Sequence, residues 1–259
     1  MSQAAALDRL GWCRFPYDQE VADWVASVVP DAERVVQDPQ MVANWLRCGG
    51  TWFAGVNALP NDASGAVPNG PALQGAVVDF IKARFGAQVW DRAQLSVIYP
   101  GYPREMAGES AAAFRFRRDR DAAHVDGLLP EGPKRRRHLR EAHGFVLGLP
   151  LNQTSAQASP MVVWEGSHLL MRAAFEGALG GVDPANWGEV DLTDIYQETR
   201  RACFDTCKRV VVHAVPGEAY LVHRLALHGV APWGGGATDA GRMIAYFRPE
   251  LRCVAQWLD

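Results

Sequence analysis

The chain has 259 residues, of which 48% are apolar and 21% are charged. This composition supports a sizeable hydrophobic core and excludes wholesale disorder. With 26 Lys and Arg against 29 Asp and Glu, the formal net charge is −3. A charge so close to zero gives no general attraction to nucleic acid or to an anionic membrane. No apolar run reaches the roughly 20 residues of a membrane-spanning helix. We therefore expect neither a nucleic-acid partner nor a membrane-spanning segment.

The N-terminal residues and the cysteines favour a cytoplasmic location. Residues 1–9 lack the basic region and the following apolar segment of a secretory signal. The cysteines stand at positions 13, 48, 203, 207 and 253. Their odd number, with no second close pair to complete a zinc site, is typical of reduced thiols. We therefore expect a cytoplasmic protein without structural disulfides.

Hydrophobic periodicity predicts helices in the N-terminal third of the chain. An apolar stripe with a spacing of three and four residues predicts a helix over 18–29, which Pro30 is expected to end. Further helices are predicted over 39–46 and 71–85. We expect residues 1–90 to form helices that support the rest of the protein.

Short β-branched and aromatic runs, punctuated by Pro and Gly, begin at about residue 94. The predicted strands cover 95–99, 144–149, 161–164, 209–215, 218–222 and 242–247. The βαβ alternation of a parallel sheet is missing, which favours an antiparallel sandwich or barrel. Two helices, 167–179 and 192–203, are expected to interrupt the strands, and the glycines at 234–236 predict a flexible loop. The sequence thus predicts one domain, 1–259, mainly β with packed helices.

One short motif carries candidate metal ligands. On a strand, residues two apart face the same side, so the imidazole of His124 and the carboxylate of Asp126 would converge. A second imidazole would complete the facial triad of non-haem Fe(II) oxygenases. His228 follows a predicted strand and precedes Gly229, which makes it the candidate. Arg242 opens the next strand, where its guanidinium could bind a dicarboxylate through a bidentate pair.

The ordered set of motifs resembles the phytanoyl-CoA dioxygenase family over roughly residues 90–250. The resemblance is carried by His124-Val125-Asp126, Met161 through His168, Gly217-Glu218, His228-Gly229 and Arg242. Proteins of that family are Fe(II)- and 2-oxoglutarate-dependent oxygenases on a double-stranded β-helix, a cupin-like jelly roll. The resemblance therefore implies this fold for residues 91–250, with the helical insertion at about 167–203.

The resemblance also implies roles for single residues. His124, Asp126 and His228 match the metal triad of the family, and would hold Fe(II). Arg242 matches the arginine that binds the far carboxylate of the co-substrate, 2-oxoglutarate. Many 2-oxoglutarate oxygenases have a hydroxyl two residues after that arginine, where this chain has Ile244.

The expected activity is hydroxylation of a small organic or lipid-like molecule, with use of molecular oxygen and release of succinate and CO2. The alternative is a non-catalytic, cupin-like protein that binds a metal or another ligand at the same triad without 2-oxoglutarate. The presence of Arg242 separates the two interpretations, because only the enzyme needs a cation for the co-substrate.

Three other features allow a functional and a structural interpretation. The basic run 134–140 is either a clamp for an acidic group of the substrate or a solvated loop, and charge runs usually lie in water. His223 is expected to be packed or hydrogen-bonded rather than a ligand. Gly166-Ser167-His168 is expected to cap a helix.

Overall fold

A computed structural model describes residues 1–235 and 240–259, so Gly236 of the predicted glycine loop lies outside the described residues. The strands are β1 (Trp12–Phe15), β2 (Leu46–Arg47), β3 (Trp52–Gly55), β4 (Gln94–Ile98), β5 (Leu128–Glu131), β6 (Arg136–Leu139), β7 (Phe145–Pro150), β8 (Met161–Glu165), β9 (Lys208–Val212), β10 (Ala219–His223), β11 (His228–Val230) and β12 (Arg242–Phe247). The α-helices are α1 (Gln3–Leu10), α2 (Gln19–Gln37), α3 (Pro39–Trp45), α4 (Ala76–Phe85), α5 (Ala111–Asp119), α6 (Ser167–Leu179) and α7 (Thr193–Thr206). Two 3₁₀ helices cover Pro184–Glu189 and Val254–Leu258.

The strands form two main sheets and a hairpin. The larger sheet has the order β1-β10-β7-β12-β4-β3-β2, the smaller sheet has the order β11-β8-β9, and β5 pairs with β6. Every strand pair in the described part of the chain is antiparallel. This is the mainly β architecture with packed helices that the sequence predicts.

Alternation along β12 separates the core from the interior between the sheets. Met243, Ala245 and Phe247 belong to the core that packs against the N-terminal helices. Ile244 and Tyr246 face the other way, into a second cluster shared with strands of the smaller sheet. Because side chains alternate along a strand, we call the face that carries Ile244 and Tyr246 the inner face of the larger sheet.

Helix α2 packs on the outer face of this sheet and passes through Pro30. The ring of Trp24 is fully buried and its centroid lies 5.7 Å from that of Phe247. Pro30 was expected to end the helix, but α2 continues to Gln37. Proline removes one backbone hydrogen bond inside a helix. Burial of Val28 and Ala32 on either side against the sheet offsets that loss.

The predicted insertion packs on the outer face of the smaller sheet. Helices α6 and α7 contribute Phe175 and Tyr196 to a core with Val162 and Trp164 of β8. Their bounds agree closely with the predicted 167–179 and 192–203. In the described residues, no helix combines the length and the apolarity needed to cross a membrane.

The sequence predicts only helices in the N-terminal region, but the structure of this region is not only helical. It also supplies β1, β2 and β3, which join the larger sheet at its two edges. These strands have only four, two and four residues, too few for period-two alternation to be recognised. The helix predicted over 71–85 begins at Ala76, because residues 71–75 form an irregular segment with two bends.

A glycine in β7 makes room for two tyrosines on the inner face. Gly148 is paired with Tyr220 of β10 on one side and with Tyr246 of β12 on the other. A Cβ atom at position 148 would lie 2.2 Å from Cζ of Tyr220. The two phenol rings can therefore meet above the glycine, where the Tyr220 hydroxyl donates to the Tyr246 hydroxyl at 2.9 Å.

We expect Gly148→Ala to destabilise the protein by about 1–3 kcal/mol, because the tyrosine ring has to leave its rotamer in a packed interior. Urea denaturation measures the change. Gly144→Ala is the matched control, since its Cβ would meet nothing closer than Cδ2 of Leu251 at 3.4 Å. Equal stability losses in the two variants would contradict this explanation of Gly148.

Candidate functional site

Two histidines are joined through their backbones. The His124 amide donates to the carbonyl of His228 at 2.8 Å, and the His228 amide donates to the carbonyl of His124 at 3.0 Å. This isolated antiparallel bridge pairs His124, which lies outside the named strands, with the first residue of β11, which also pairs with β8. It puts the two imidazole centroids 4.7 Å apart.

Asp126 completes a cluster with these two imidazoles. Its Oδ1 lies 3.1 Å from Nε2 of His124, and its Oδ2 lies 3.9 Å from Nε2 of His228. One ligand atom from each of the three residues lies within 4.8 Å of the others. The predicted triad is therefore assembled in space, with two nitrogens and one carboxylate directed at a common point.

Backbone carbonyls orient both imidazoles. Nδ1 of His124 lies 3.0 Å from the carbonyl of Ala122, and Nδ1 of His228 lies 2.9 Å from the carbonyl of Ala226. In the neutral tautomer with Nδ1 protonated, each Nδ1–H donates to that carbonyl and Nε2 keeps its lone pair. This outer hydrogen bond is the arrangement that metal-binding histidines use to fix ring orientation.

The charge states suit a cation. Burial lowers the pKa of His228 to about 4, although Asp126 acts in the opposite direction, so this imidazole is neutral near pH 7. Burial raises the pKa of the Asp126 carboxyl. In the acidic range in which this carboxyl titrates, the hydrogen bond from the His124 ring and the charges of His228 and Arg248 outweigh burial and hold that pKa well below its usual range. Neutral imidazoles and an ionised carboxylate are the forms that bind metals.

An ion pair holds the turn that precedes His124. Nε and Nη2 of Arg209 donate to the carboxylate of Asp121 at 2.7 and 2.9 Å. The Asp121 carbonyl accepts from the Val230 amide at 2.9 Å. It also lies so close to Gly229 that a Cβ there would stand 2.2 Å away. The glycine after His228 thus allows this turn to cross the strand.

Ser167 supports the other histidine. Its hydroxyl accepts from the amide of Leu227, the residue before His228, at 2.8 Å. The helix cap expected for Gly166-Ser167-His168 is different in detail: Gly166 occupies the N-cap position in the left-handed region, with no side-chain cap bond. The motif is structural, but its hydroxyl serves the neighbouring strand.

A cavity of about 220 Å³ borders the triad. Its walls include Trp52, Val56, Met161, Val230 and Tyr246, together with the triad itself. Most of these side chains are apolar or aromatic, as in ordinary small-molecule sites. The triad therefore lies beside a space suited to a small organic molecule.

Arg242 lies on the inner face, although it is not part of the wall of this cavity. It is paired with Ile98, which is paired in turn with Trp52 of the cavity wall. Arg242 is 4% exposed, and its Nε and Nη2 have no hydrogen-bond partner among the described residues. Its guanidinium lies beside Tyr220, whose pKa is raised well above the usual range by burial while Arg242 acts to lower it.

The structure adds one charged residue that the sequence interpretation did not single out. Arg248 lines the cavity, with Nη1 at 3.4 Å from Oδ2 of Asp126. Period-two alternation from Arg242 through Ile244 and Tyr246 puts position 248 on the same inner face. That spacing was the available signal, but Pro249 obscured it because the predicted strand stops at 247.

The basic run 134–140 lies on the hairpin β5–β6, and two of its arginines form ion pairs outside the cavity. Arg136 pairs with Asp191 and Asp194, and Arg140 pairs with Glu131. No residue of this run is part of the cavity wall among the described residues. These contacts therefore agree with a structural role for the basic run rather than with a clamp for the substrate.

His223 is packed and hydrogen-bonded, as predicted. Its Nδ1 accepts from the Leu225 amide at 3.1 Å, and its ring lies 4.9 Å from that of His168. The strand does not continue unbroken from His223 to His228. Strand β10 ends at His223 in the larger sheet, and β11 begins at His228 in the smaller one.

Comparisons with known proteins show the fold. No protein-family model and no curated protein matches the chain. The solved structure of SnoK, a non-haem α-ketoglutarate-dependent carbocyclase from nogalamycin biosynthesis, is 13% identical, with a TM-score of 0.52 over 97% of this chain and 84% of SnoK. AviO1 from Streptomyces viridochromogenes Tue57 is 15% identical, with a TM-score of 0.53 over 97% of this chain and 96% of AviO1.

At such identities the likeness is one of fold. Together with the two antiparallel sheets and the packed helices, it confirms the predicted double-stranded β-helix. The narrower resemblance to the phytanoyl-CoA dioxygenase family remains a prediction from the motifs.

We expect Arg209→Gln to lower the affinity of the triad for a divalent metal about tenfold, because the turn that carries His124 loses its anchor. Titration with Co(II), followed by visible absorption, measures the affinity. Arg118→Gln is the matched control, since Arg118 pairs with Asp119 on the exposed surface. Unchanged affinity in Arg209→Gln would show that this ion pair does not position the histidine.

Burial keeps the pKa of His223 well below the ordinary 6.5, and neighbouring Arg224 acts in the same direction. The unfolded chain therefore binds more protons below pH 6.5, and stability falls as the pH decreases. When the pH falls from about 7.5 to about 5.5, His223 should lower the free energy of unfolding by about 1 kcal/mol. Urea denaturation at both pH values should show a smaller loss for His223→Gln. An equal loss in the variant and the wild type would contradict this assignment.

Proposed function

We propose that this chain is an Fe(II)- and 2-oxoglutarate-dependent dioxygenase, with iron held by His124, Asp126 and His228. The observation that carries the proposal is the state of Arg242, a buried guanidinium with no carboxylate partner among the described residues. A buried charge without a partner is costly. A carboxylate that enters beside Tyr220 would relieve that cost, and the far end of 2-oxoglutarate is such a group.

The donor set supports iron as the metal. Two imidazole nitrogens and one carboxylate oxygen that converge on one point suit a non-haem Fe(II) site with open positions. When bound, iron and 2-oxoglutarate supply the oxidising chemistry, in which molecular oxygen is consumed and 2-oxoglutarate leaves as succinate and CO2. The solved structure of SnoK, described as α-ketoglutarate-dependent, has the same fold and adds support.

Residues of this chain would perform three tasks. Arg242 would bind the far carboxylate by charge-assisted hydrogen bonds. Tyr220 stays protonated because burial raises its pKa. Its hydroxyl, which donates to Tyr246, would turn to the carboxylate and replace the hydroxyl that is missing at Ile244. Trp52 and Met161 of the cavity wall would exclude water from the reacting groups and leave room for substrate.

Hydroxylation of a small organic or lipid-like molecule is the activity we propose, in line with the resemblance to phytanoyl-CoA dioxygenases. His228 lies on the smaller sheet, and Tyr220 and Arg242 lie on the larger one, which supports one oxygenase domain over residues 1–259. The cytoplasm is the proposed location.

The test starts with anaerobic Fe(II)-loaded protein. Addition of 2-oxoglutarate should produce a weak visible charge-transfer band in the wild type. His124→Ala should abolish both metal binding and the band, because one of three ligands is lost. Arg242→Gln should weaken 2-oxoglutarate binding about tenfold or more while metal affinity stays within about threefold.

Arg140→Gln serves as the control for loss of a positive charge, because Arg140 pairs with Glu131 away from the cavity. A wild type that binds iron tightly but never binds 2-oxoglutarate would overturn the proposal. That outcome would instead favour a cupin-like metal-binding protein without oxygenase activity.

A further inference from the structure

A second arginine stands at the same cavity as the triad. Nη2 of Arg248 donates to Oε1 of Gln94 at 2.6 Å, which fixes the guanidinium at the cavity wall. Its Nη1 lies 3.4 Å from Oδ2 of Asp126, longer than the 2.7–2.9 Å of a strong charge-assisted pair. The Arg248 side chain is 23% exposed, so it can still receive a ligand from solvent.

Arg248 and Arg242 serve different parts of the interior. Six residues separate them on the inner face, which corresponds to about 20 Å along an extended strand. Arg242 is buried beside Tyr220, whereas Arg248 lies at the triad. The two guanidinium groups therefore have different surroundings in the interior.

Charge balance leaves Arg248 without a full counterion. Asp126 and Arg248 are the two formally charged groups that line the cavity among the described residues. A divalent metal would draw on the charge of Asp126. The metal and Arg242 together would balance Asp126 and a doubly charged co-substrate. One positive charge, that of Arg248, then remains in a partly desolvated space, where electrostatic interactions are stronger than in water.

We propose that Arg248, oriented by Gln94, is the substrate-binding cation, and that the substrate is a small, largely apolar molecule with one carboxylate. The inference rests on the proposed function, because it takes this cavity as the place of reaction. The carboxylate would pair with Arg248. The apolar body would lie against Trp52, Val56 and Met161 of the wall, which brings one of its carbons next to the triad.

The test uses phenylacetate and its neutral isostere phenylacetamide as probes. With Mn(II)-loaded protein saturated with 2-oxoglutarate, paramagnetic broadening of the probe protons reports binding beside the metal. We expect phenylacetate to bind about tenfold more tightly than phenylacetamide. In Arg248→Gln this preference should disappear, whereas Arg248→Lys should retain part of it because the charge is kept.

Arg140→Gln is the matched control and should keep the full preference for phenylacetate. Equal binding of the two probes to the wild type, or a preference that persists in Arg248→Gln, would overturn the proposal. A loss of 2-oxoglutarate affinity in Arg248→Gln as large as that in Arg242→Gln would also overturn it, since Arg248 would then serve the co-substrate. A loss of metal affinity without any probe preference in the wild type would mean that Arg248 only positions Asp126.

Failure of the proposed function would look different. In that case metal-loaded wild type would not bind 2-oxoglutarate, and Arg242→Gln would change nothing. Calorimetric titration of the two probes without 2-oxoglutarate still measures the preference that depends on Arg248. The two proposals can therefore fail separately.

Discussion

The site depends on the pair of backbone hydrogen bonds between His124 and His228. Side chains alone could hold two imidazoles in many arrangements, but a reciprocal bridge fixes the distance and direction of both residues at once. Each ring is then oriented by a carbonyl two residues earlier in its own segment. The approach of the two segments requires Gly229, because any Cβ there would meet the Asp121 carbonyl. The backbone thus sets the positions and orientations of the two histidine side chains of the triad.

Electrostatics then separates the interior into two regions. Near the triad, Asp126 is ionised although it is buried, since His124, His228 and Arg248 surround it. Beside Tyr220, Arg242 has no anion among the described residues, and its donors without partners there make that region favourable for one. Both arginines belong to one extended segment, in which alternate residues face the interior. Strand β12 and the residue that follows it therefore carry positive charge at two positions in the interior. On the other face of the strand, Met243, Ala245 and Phe247 pack against the N-terminal helices.

Much of this arrangement could be predicted from residue patterns. The His-x-Asp motif marked two side chains that do lie together, although His124 lies at an isolated bridge and Asp126 in a turn rather than on one strand. Runs of β-branched residues marked the strands that frame the cavity. Arg209 could not be found in this way, because its ion pair with Asp121 joins strand β9 to a distant turn. Short strands such as β2 were missed because two residues carry no periodicity. The helix end predicted at Pro30 was wrong, because the local rule for proline takes no account of the burial that extends α2 beyond it.

The source of the positive charge at the cavity also could not be predicted from local sequence patterns. Residues 134–140 follow the His124 motif closely in sequence, which suggested that their arginines stand at the mouth of the site. In the fold, acidic residues of the hairpin and of the insertion pair with them, as Asp191 does with Arg136. Arg248 is far from the motif in sequence, but strand register brings it to Asp126. A single guanidinium in a space with apolar walls has more influence on a ligand than several solvated ones, because water screens its charge less. The proposed selectivity for an anion at this site would therefore follow from strand pairing rather than from the density of basic residues.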